Sequence, residues 1–236
     1  MSKPPEVKII PAFAVPFGAS FMADCGQMNL DLKTLFLSRE TEQYKNPMAD
    51  SVESDQVFES DFDLFTWKEQ CVAKLKEFMT ACVLETLGMV NKYKRSKVSE
   101  FDIYADAWYH ITRKGGYFTN HNHPMASWSA VYCVADGIEQ GEEEEDSAVT
   151  RFFHPQTAAS TYLDAGNFNM TDTPFGYGHQ VFKLQAGQIL IFPSWVYHEV
   201  SPYMGNSERI TVAVNYWFNH PQMNPQIGPK IYSGKK

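Results

Sequence analysis

From Phe101 onward the chain is written in short alternating runs, and this pattern constrains its fold more than any other feature. FDIYADAWYHIT places Phe101, Ile103, Ala105, Ala107, Tyr109 and Ile111 on one side and more polar groups on the other, the signature of a half-buried strand. Lys114-Gly115-Gly116 supplies a turn, and Ser127 to Ala135 forms another strand on which Trp128, Ala130, Tyr132 and Val134 face together. VTRFFHP, VFKL, QILIF after a turn at Gly187, and RITVAVNYWF continue the series. About eight short strands at these intervals predict a mainly β fold of sandwich, jelly-roll or barrel type.

The first hundred residues differ in texture. Residues 6–23 are β-prone but broken by Pro11 and Pro16, which confines them to an edge strand or an extended lead-in. Asn29 to Lys45 carries Leu32, Leu35, Phe36 and Arg39 at helical spacing and is closed by Pro47; the polar stretch from Pro47 to Ser60 reads as a loop. Thr66-Trp67-Lys68-Glu69 has the form of a capping box. It opens a longer helix in which Val72, Leu75, Phe78, Met79, Cys82, Val83 and Leu87 recur at three and four, with Gly88 as its stop. The Met and aromatic residues of that stripe read as packing surface. The expected organisation is one domain over residues 1–236: helical and extended support in 1–100, a β core in 101–220, and a Pro- and Gly-rich tail in 221–236.

Composition excludes several classes of function. A hydrophobic content of 44% with 14% aromatic residues is that of a packed domain rather than a disordered chain. A formal charge of −8 argues against a nucleic-acid partner held through phosphates. MSKPPEVKII has no apolar leader core, and no stretch approaches the roughly 20 apolar residues of a membrane span. Cys25, Cys71, Cys82 and Cys133 are scattered, which fits reduced thiols and a cytoplasmic location. The glutamate-rich run at 139–146 reads as solvated surface, and the long 158–179 segment as a lid or binding loop.

Chemistry concentrates in a few of the seven histidines. His121 and His123 stand two apart in HNHP, so in extended chain they point to one side and can share a metal. His198, in PSWVYHEV, offers a third ligand from a later strand, and Arg209 follows it by eleven positions. A metal that must activate oxygen needs three protein ligands on one face and open positions opposite.

These motifs resemble the iron(II) and 2-oxoglutarate-dependent oxygenases built on the double-stranded β-helix, a jelly-roll or cupin-like fold. The resemblance is carried by His121-Asn122-His123-Pro124, by Trp128-Ser129-Ala130-Val131-Tyr132, by Phe192-Pro193-Ser194-Trp195-Val196-Tyr197-His198, and by Glu208-Arg209-Ile210-Thr211 with Asn215. It extends from about Trp108 to Phe218, and IIPAFAVPF looks like the family's lead-in. The resemblance implies Fe(II) at His121 and His198, and 2-oxoglutarate at Arg209 with Thr211 beside it. Hydroxylation of a substrate C–H bond, with release of succinate and CO2, would follow. Trp128, Tyr132, Trp195 and Asn215 are candidate pocket residues.

One position departs from the family pattern: His123 stands where Asp or Glu is usual. Three arrangements are compatible with the sequence. His123 ligates the metal, a carboxylate from Asp106 or the 164–172 loop completes the site, or His123 stands behind the ligands and leaves an extra open position. Spacing favours direct ligation. Rival functions are a three-histidine cupin-type dioxygenase that does not use 2-oxoglutarate and a non-catalytic β-sandwich binding module; Arg209-Ile210-Thr211 argues against the first. The substrate, small molecule or peptidyl, is not legible, and a homo-oligomer is left open.

Overall fold

The structure, a computed structural model, describes residues 8, 14–48, 54–138, 146–155, 164–170, 173, 176 and 178–220. The alternating segments pair into two antiparallel sheets. One contains β1 (Gly18–Phe21), β2 (Val57–Glu59), β3 (Asp102–Thr112), β5 (Trp128–Ala135), β8 (Gln188–Pro193) and β10 (Arg209–Asn219), in the order β1-β8-β5-β10-β3-β2. The other contains β4 (Phe118–His121), β6 (Thr150–Phe152), β7 (Gln180–Phe182) and β9 (His198–Val200), in the order β4-β9-β6-β7. This is the expected jelly roll, mainly β with helices on its N-terminal side.

Strand alternation divides the larger sheet into two faces. Ala107, Tyr109, Ile111, Ala130, Tyr132, Ile189, Ile191, Ile210, Val212, Val214 and Tyr216 pack with the helices α1 (Gly26–Ser38) and α2 (Gln70–Asn91) in one core. From α2 that core takes Val72, Leu75, Met79, Val83 and Leu87, the stripe read from the sequence. Phe36 of α1 stacks on Tyr109 with ring centroids 4.2 Å apart, and the Tyr109 hydroxyl donates to the Arg39 carbonyl at 3.1 Å. The opposite face turns toward the smaller sheet, where Cys133, Leu190 and Phe192 meet Phe152, Leu184 and Val196 in a second cluster.

Several boundaries differ from expectation. Helix α1 starts at Gly26 and ends at Ser38, well before Lys45, and Arg39 then turns its guanidinium over the Trp67 ring, 4.1 Å from the centroid. The capping box does not form. Thr66 instead closes a short 3-10 turn by donating its hydroxyl to Asp63, and Glu69, at the helix N-cap, pairs with Arg39. Gly88 remains inside α2, which runs one turn further and stops where Lys92 enters the left-handed region (φ 56°), with the Tyr93 N–H returning to the Gly88 carbonyl. The supposed loop from Pro47 to Ser60 contains β2, paired to β3 through Val57, Phe58 and Glu59. The end of the lead-in becomes β1, at the edge of the larger sheet. A second short helix, Arg95–Val98, lies before β3. Residues 139–145, half of the 158–179 loop and the 221–236 tail lie outside the described residues.

All four cysteines are free, and among the described residues no helix is long and apolar enough to cross a membrane. Leu75 is fully buried between α2 and the sheet. Leu75→Ala is expected to cost about 2–5 kcal/mol of unfolding free energy, measured as a lower urea midpoint at unchanged slope.

Candidate metal centre

The register between β4 and β9 sets His121 directly opposite His198. Beyond β4 the chain reaches His123, whose backbone N–H donates to the Ser194 carbonyl at 2.9 Å, so the turn between β8 and β9 braces the HNHP segment. Pro124 has no N–H to offer a ladder, and the strand does not resume after it. The three imidazoles converge, with ring centroids 4.3 Å apart for His121 and His198, 5.2 Å for His123 and His198, and 5.5 Å for His121 and His123. One ring nitrogen from each lies within 4.8 Å of the others.

Hydrogen bonds fix which nitrogens are free. Nδ1 of His121 is 2.6 Å from the Thr119 carbonyl, and Nδ1 of His198 is 3.1 Å from the Val196 carbonyl. A carbonyl can only accept, so both rings carry the proton on Nδ1 and present a bare Nε2. Nδ1 of His123 is 2.7 Å from Asn215 Oδ1, which imposes the same tautomer. Burial pushes the pKa of all three below the ordinary histidine value, to about 4 for His123, and their mutual repulsion adds to the effect at His123 and His198. Three neutral imidazoles, each with a ring nitrogen within 4.8 Å of the others, suit a first-row transition metal such as iron(II).

Among the described residues no carboxylate joins this group. Asp106 is exposed on β3, in register with Asn215, and Asp164 is exposed in its own loop; Asp172 lies outside the described residues. Of the three arrangements open at the level of sequence, the geometry supports the one in which His123 is the third ligand.

The histidines border a cavity of about 780 Å³ between the sheets. Arg209, Thr211, Ala213 and Asn215, alternate residues of β10, line it together. Arg209 is 3% exposed, and among the described residues no carboxylate pairs with its guanidinium; Asp136 acts on it electrostatically without an ion pair. Burial lowers its pKa.

The pocket aromatics fall elsewhere. Trp128 and Tyr132 lie on the helix side of β5, where the Tyr132 hydroxyl donates to Asn29 Oδ1 at 2.8 Å. Trp195 is exposed in the turn before β9 and does not line the cavity. Val131, next to Tyr132, and Tyr197, two residues after Trp195, line it instead.

Sequence reasoning also passed over a polar wall made by Asn46, Glu59, Trp108 and His110. The Glu59 carboxylate accepts from Asn46 Nδ2 at 2.7 Å and lies 2.8 Å from His110 Nε2. Burial raises its pKa, but the bonds and charge from His110 and the bond from Asn46 outweigh it, and the net shift is downward. Trp108 Nε1 is 3.1 Å from the same His110 nitrogen. One ring nitrogen cannot both donate to a carboxylate and accept from an indole, so with Glu59 ionised the Trp108 N–H remains available to a ligand. Trp108 and His110 occupy the more polar side of the alternating β3 sequence, which was a usable signal. Glu59 had none, because a three-residue strand is too short to show a period.

Residues 106–215 match the family model described as "Putative 2OG-Fe(II) oxygenase". The match spans the three histidines, Arg209, Thr211 and Asn215. This segment belongs to the 2OG-Fe(II) oxygenase superfamily. Solved structures agree in fold. A prolyl-4-hydroxylase from Pseudomonas putida superposes with TM-score 0.55 at 15% identity, over 87% of this chain and 93% of that one. A prolyl hydroxylase from Trichoplax adhaerens, in complex with a hypoxia inducible factor oxygen degradation domain peptide, gives 0.52 at 13%, over 85% and 83%. HygX from Streptomyces hygroscopicus, with nickel, 2-oxoglutarate and hygromycin B bound, gives 0.52 at 10%, over 86% and 83%. Among curated proteins, no sequence matches the chain.

The depressed histidines of this site make the metal-free protein acid-sensitive. Above the unfolded value of 6.5 they impose no pH slope; below it the unfolded chain takes up protons that the folded site refuses, and stability falls as pH drops toward the folded values. His123 alone, at about 4, accounts for on the order of 3 kcal/mol. Thermal unfolding of metal-free protein from pH 8 to 4 should show a plateau above 6.5 and a decline below it that is shallower in His123→Gln.

Proposed function

We propose that this chain is an iron(II)- and 2-oxoglutarate-dependent dioxygenase that hydroxylates a C–H bond of a small-molecule or peptidyl substrate and releases succinate and CO2. The observation that carries this reading is Arg209, a buried guanidinium that no carboxylate among the described residues pairs, in the cavity that the three histidines border. An unpaired buried charge is costly, and a ligand carboxylate relieves that cost through a bidentate pair. Thr211, two residues along the same strand face, adds a hydroxyl. 2-Oxoglutarate has the required distal carboxylate, and HygX, of the same fold, was solved with that compound bound.

His121, His123 and His198 would hold the iron, which when bound supplies oxygen activation coupled to oxidative decarboxylation of the co-substrate. The protein's share is placement. Backbone carbonyls hold the Nδ1 protons of His121 and His198, so their Nε2 lone pairs need no deprotonation at neutral pH. Val131, Phe152, Leu190 and Phe192 give the cavity an apolar lining that limits water around the reacting groups. The polar wall of Glu59, His110 and Trp108, with Phe62 beside it, faces the same space and is positioned to orient a substrate. The free thiols fit the reducing, cytoplasmic setting that ferrous iron favours.

A three-histidine dioxygenase independent of 2-oxoglutarate leaves Arg209 unexplained, and a binding module leaves the converging bare nitrogens unexplained. Calorimetry of anaerobic, metal-loaded protein separates these readings. 2-Oxoglutarate should bind, and Arg209→Ala should weaken it by about 30-fold or more, the scale of losing one partner of a buried charge pair. His121→Ala should abolish iron-dependent succinate formation. Equal 2-oxoglutarate affinity in wild type and Arg209→Ala would remove the basis for the assignment.

A further inference from the structure

The second histidine of HNHP is held differently from the other two. His121 and His198 are each oriented by a backbone carbonyl two residues earlier in their own strand or turn. His123 is oriented by a side chain 92 residues away, Asn215 of β10. An amide has two faces, and which one it turns toward His123 decides the tautomer. If the oxygen faces the ring, Nδ1 keeps the proton and Nε2 is bare. If the NH2 group faces it, Nδ1 must accept, the proton moves to Nε2, and that nitrogen cannot bind a metal.

The contacts of Asn215 are those of an amide whose oxygen faces the ring. Ser129 Oγ is 2.7 Å from Asn215 Oδ1 and 2.8 Å from Ser194 Oγ. Ser129 has one hydroxyl proton. When that proton goes to Oδ1, Ser129 accepts from Ser194, and the amide oxygen takes protons from both Ser129 and the His123 ring. Both serines are fully buried, so water does not compete. The relay rests on strands other than those carrying His121 and His198: Asn215 is in register with Ser129 of β5, and Ser194 follows β8. Ser194 also accepts the His123 backbone N–H through its carbonyl, so one short segment fixes both the main chain and the ring of His123.

We infer that Asn215, its amide pinned by Ser129 and Ser194, is a positioning residue that makes His123 the third metal ligand in the place where a carboxylate is usual. The inference rests on the metal reading of the triad. The bland alternative is that the three polar side chains merely satisfy one another inside the sheet.

The test uses the full chain with Co(II) as probe, its affinity measured by chelator competition and its coordination by visible absorption. The His123 tautomer in metal-free protein is read by long-range 15N–1H spectra. Wild type should show protonated Nδ1 and bare Nε2 at His123. Asn215→Asp keeps the acceptor and adds charge, so it should bind Co(II) at least as tightly as wild type, with shifted absorption bands. Asn215→Leu should weaken Co(II) by about 10–100-fold, the range for losing a group that orients a metal ligand. Ser129→Ala frees the amide to flip and should give a mixture of tautomers with an intermediate affinity; it carries the same test if Asn215→Leu does not fold. A merely structural role would lower the melting temperature of these variants while leaving Co(II) affinity and spectrum as in wild type, and that result overturns the inference. So does an Nε2-protonated His123 in wild type. His121→Ala separates the two levels: if it too binds Co(II) like wild type, the metal reading itself fails, whereas loss in His121→Ala with no change in Asn215→Leu sinks the inference alone.

Discussion

The pairing of β10 on both sides governs the rest of the structure. All eleven of its residues are in register with β3, and seven, Ile210 to Tyr216, are in register with β5. One face of the strand, Ile210, Val212, Val214 and Tyr216, is buried against the helices; the other, Arg209, Thr211, Ala213 and Asn215, lines the cavity. A slip of one residue would exchange the faces, placing a guanidinium and an amide in the apolar core and four hydrophobic side chains in the cavity. Each large apolar side chain gains about 1.5–3 kcal/mol from burial, and an unpaired buried charge costs several. The hydrophobic core therefore holds the register of the site, although none of its residues touches the cavity.

The same logic explains what could be read from the sequence. Alternation located the long strands and grouped their residues correctly: Trp128 with Ala130, Tyr132 and Val134, and Arg209 with Thr211, Ala213 and Asn215. It could not say which group faced which layer. For β10 the charged group had to take the cavity. For β5 both groups are largely apolar, and the helices settled the matter by packing on Trp128 and Tyr132. Helix ends were less legible because tertiary contacts override local signals. Glu69 was spent on Arg39 rather than on a cap, and α2 ran through Gly88 until Lys92 took the left-handed turn. The polar wall was hidden for a related reason: Glu59 gains its neighbours His110 and Asn46 from β3 and a distant turn, and nothing local marks the strand that carries it.

His123 stands where a carboxylate is usual in the family, and the structure places a buried carboxylate on the cavity wall. Glu59 lies on the cavity wall with its pKa held down by His110 and Asn46, and its field reaches the triad, favouring positive charge at His121 and His123. His110 opposes part of that field. The anionic group thus sits outside the ligand shell, fixed by its own hydrogen bonds, on a surface that also faces the cavity. A carboxylate bound to the metal would neutralise charge and occupy a coordination position pointing inward. A carboxylate in the wall acts on the triad from a distance. Glu59 therefore bears on the triad through its field and on the cavity through its place in the wall.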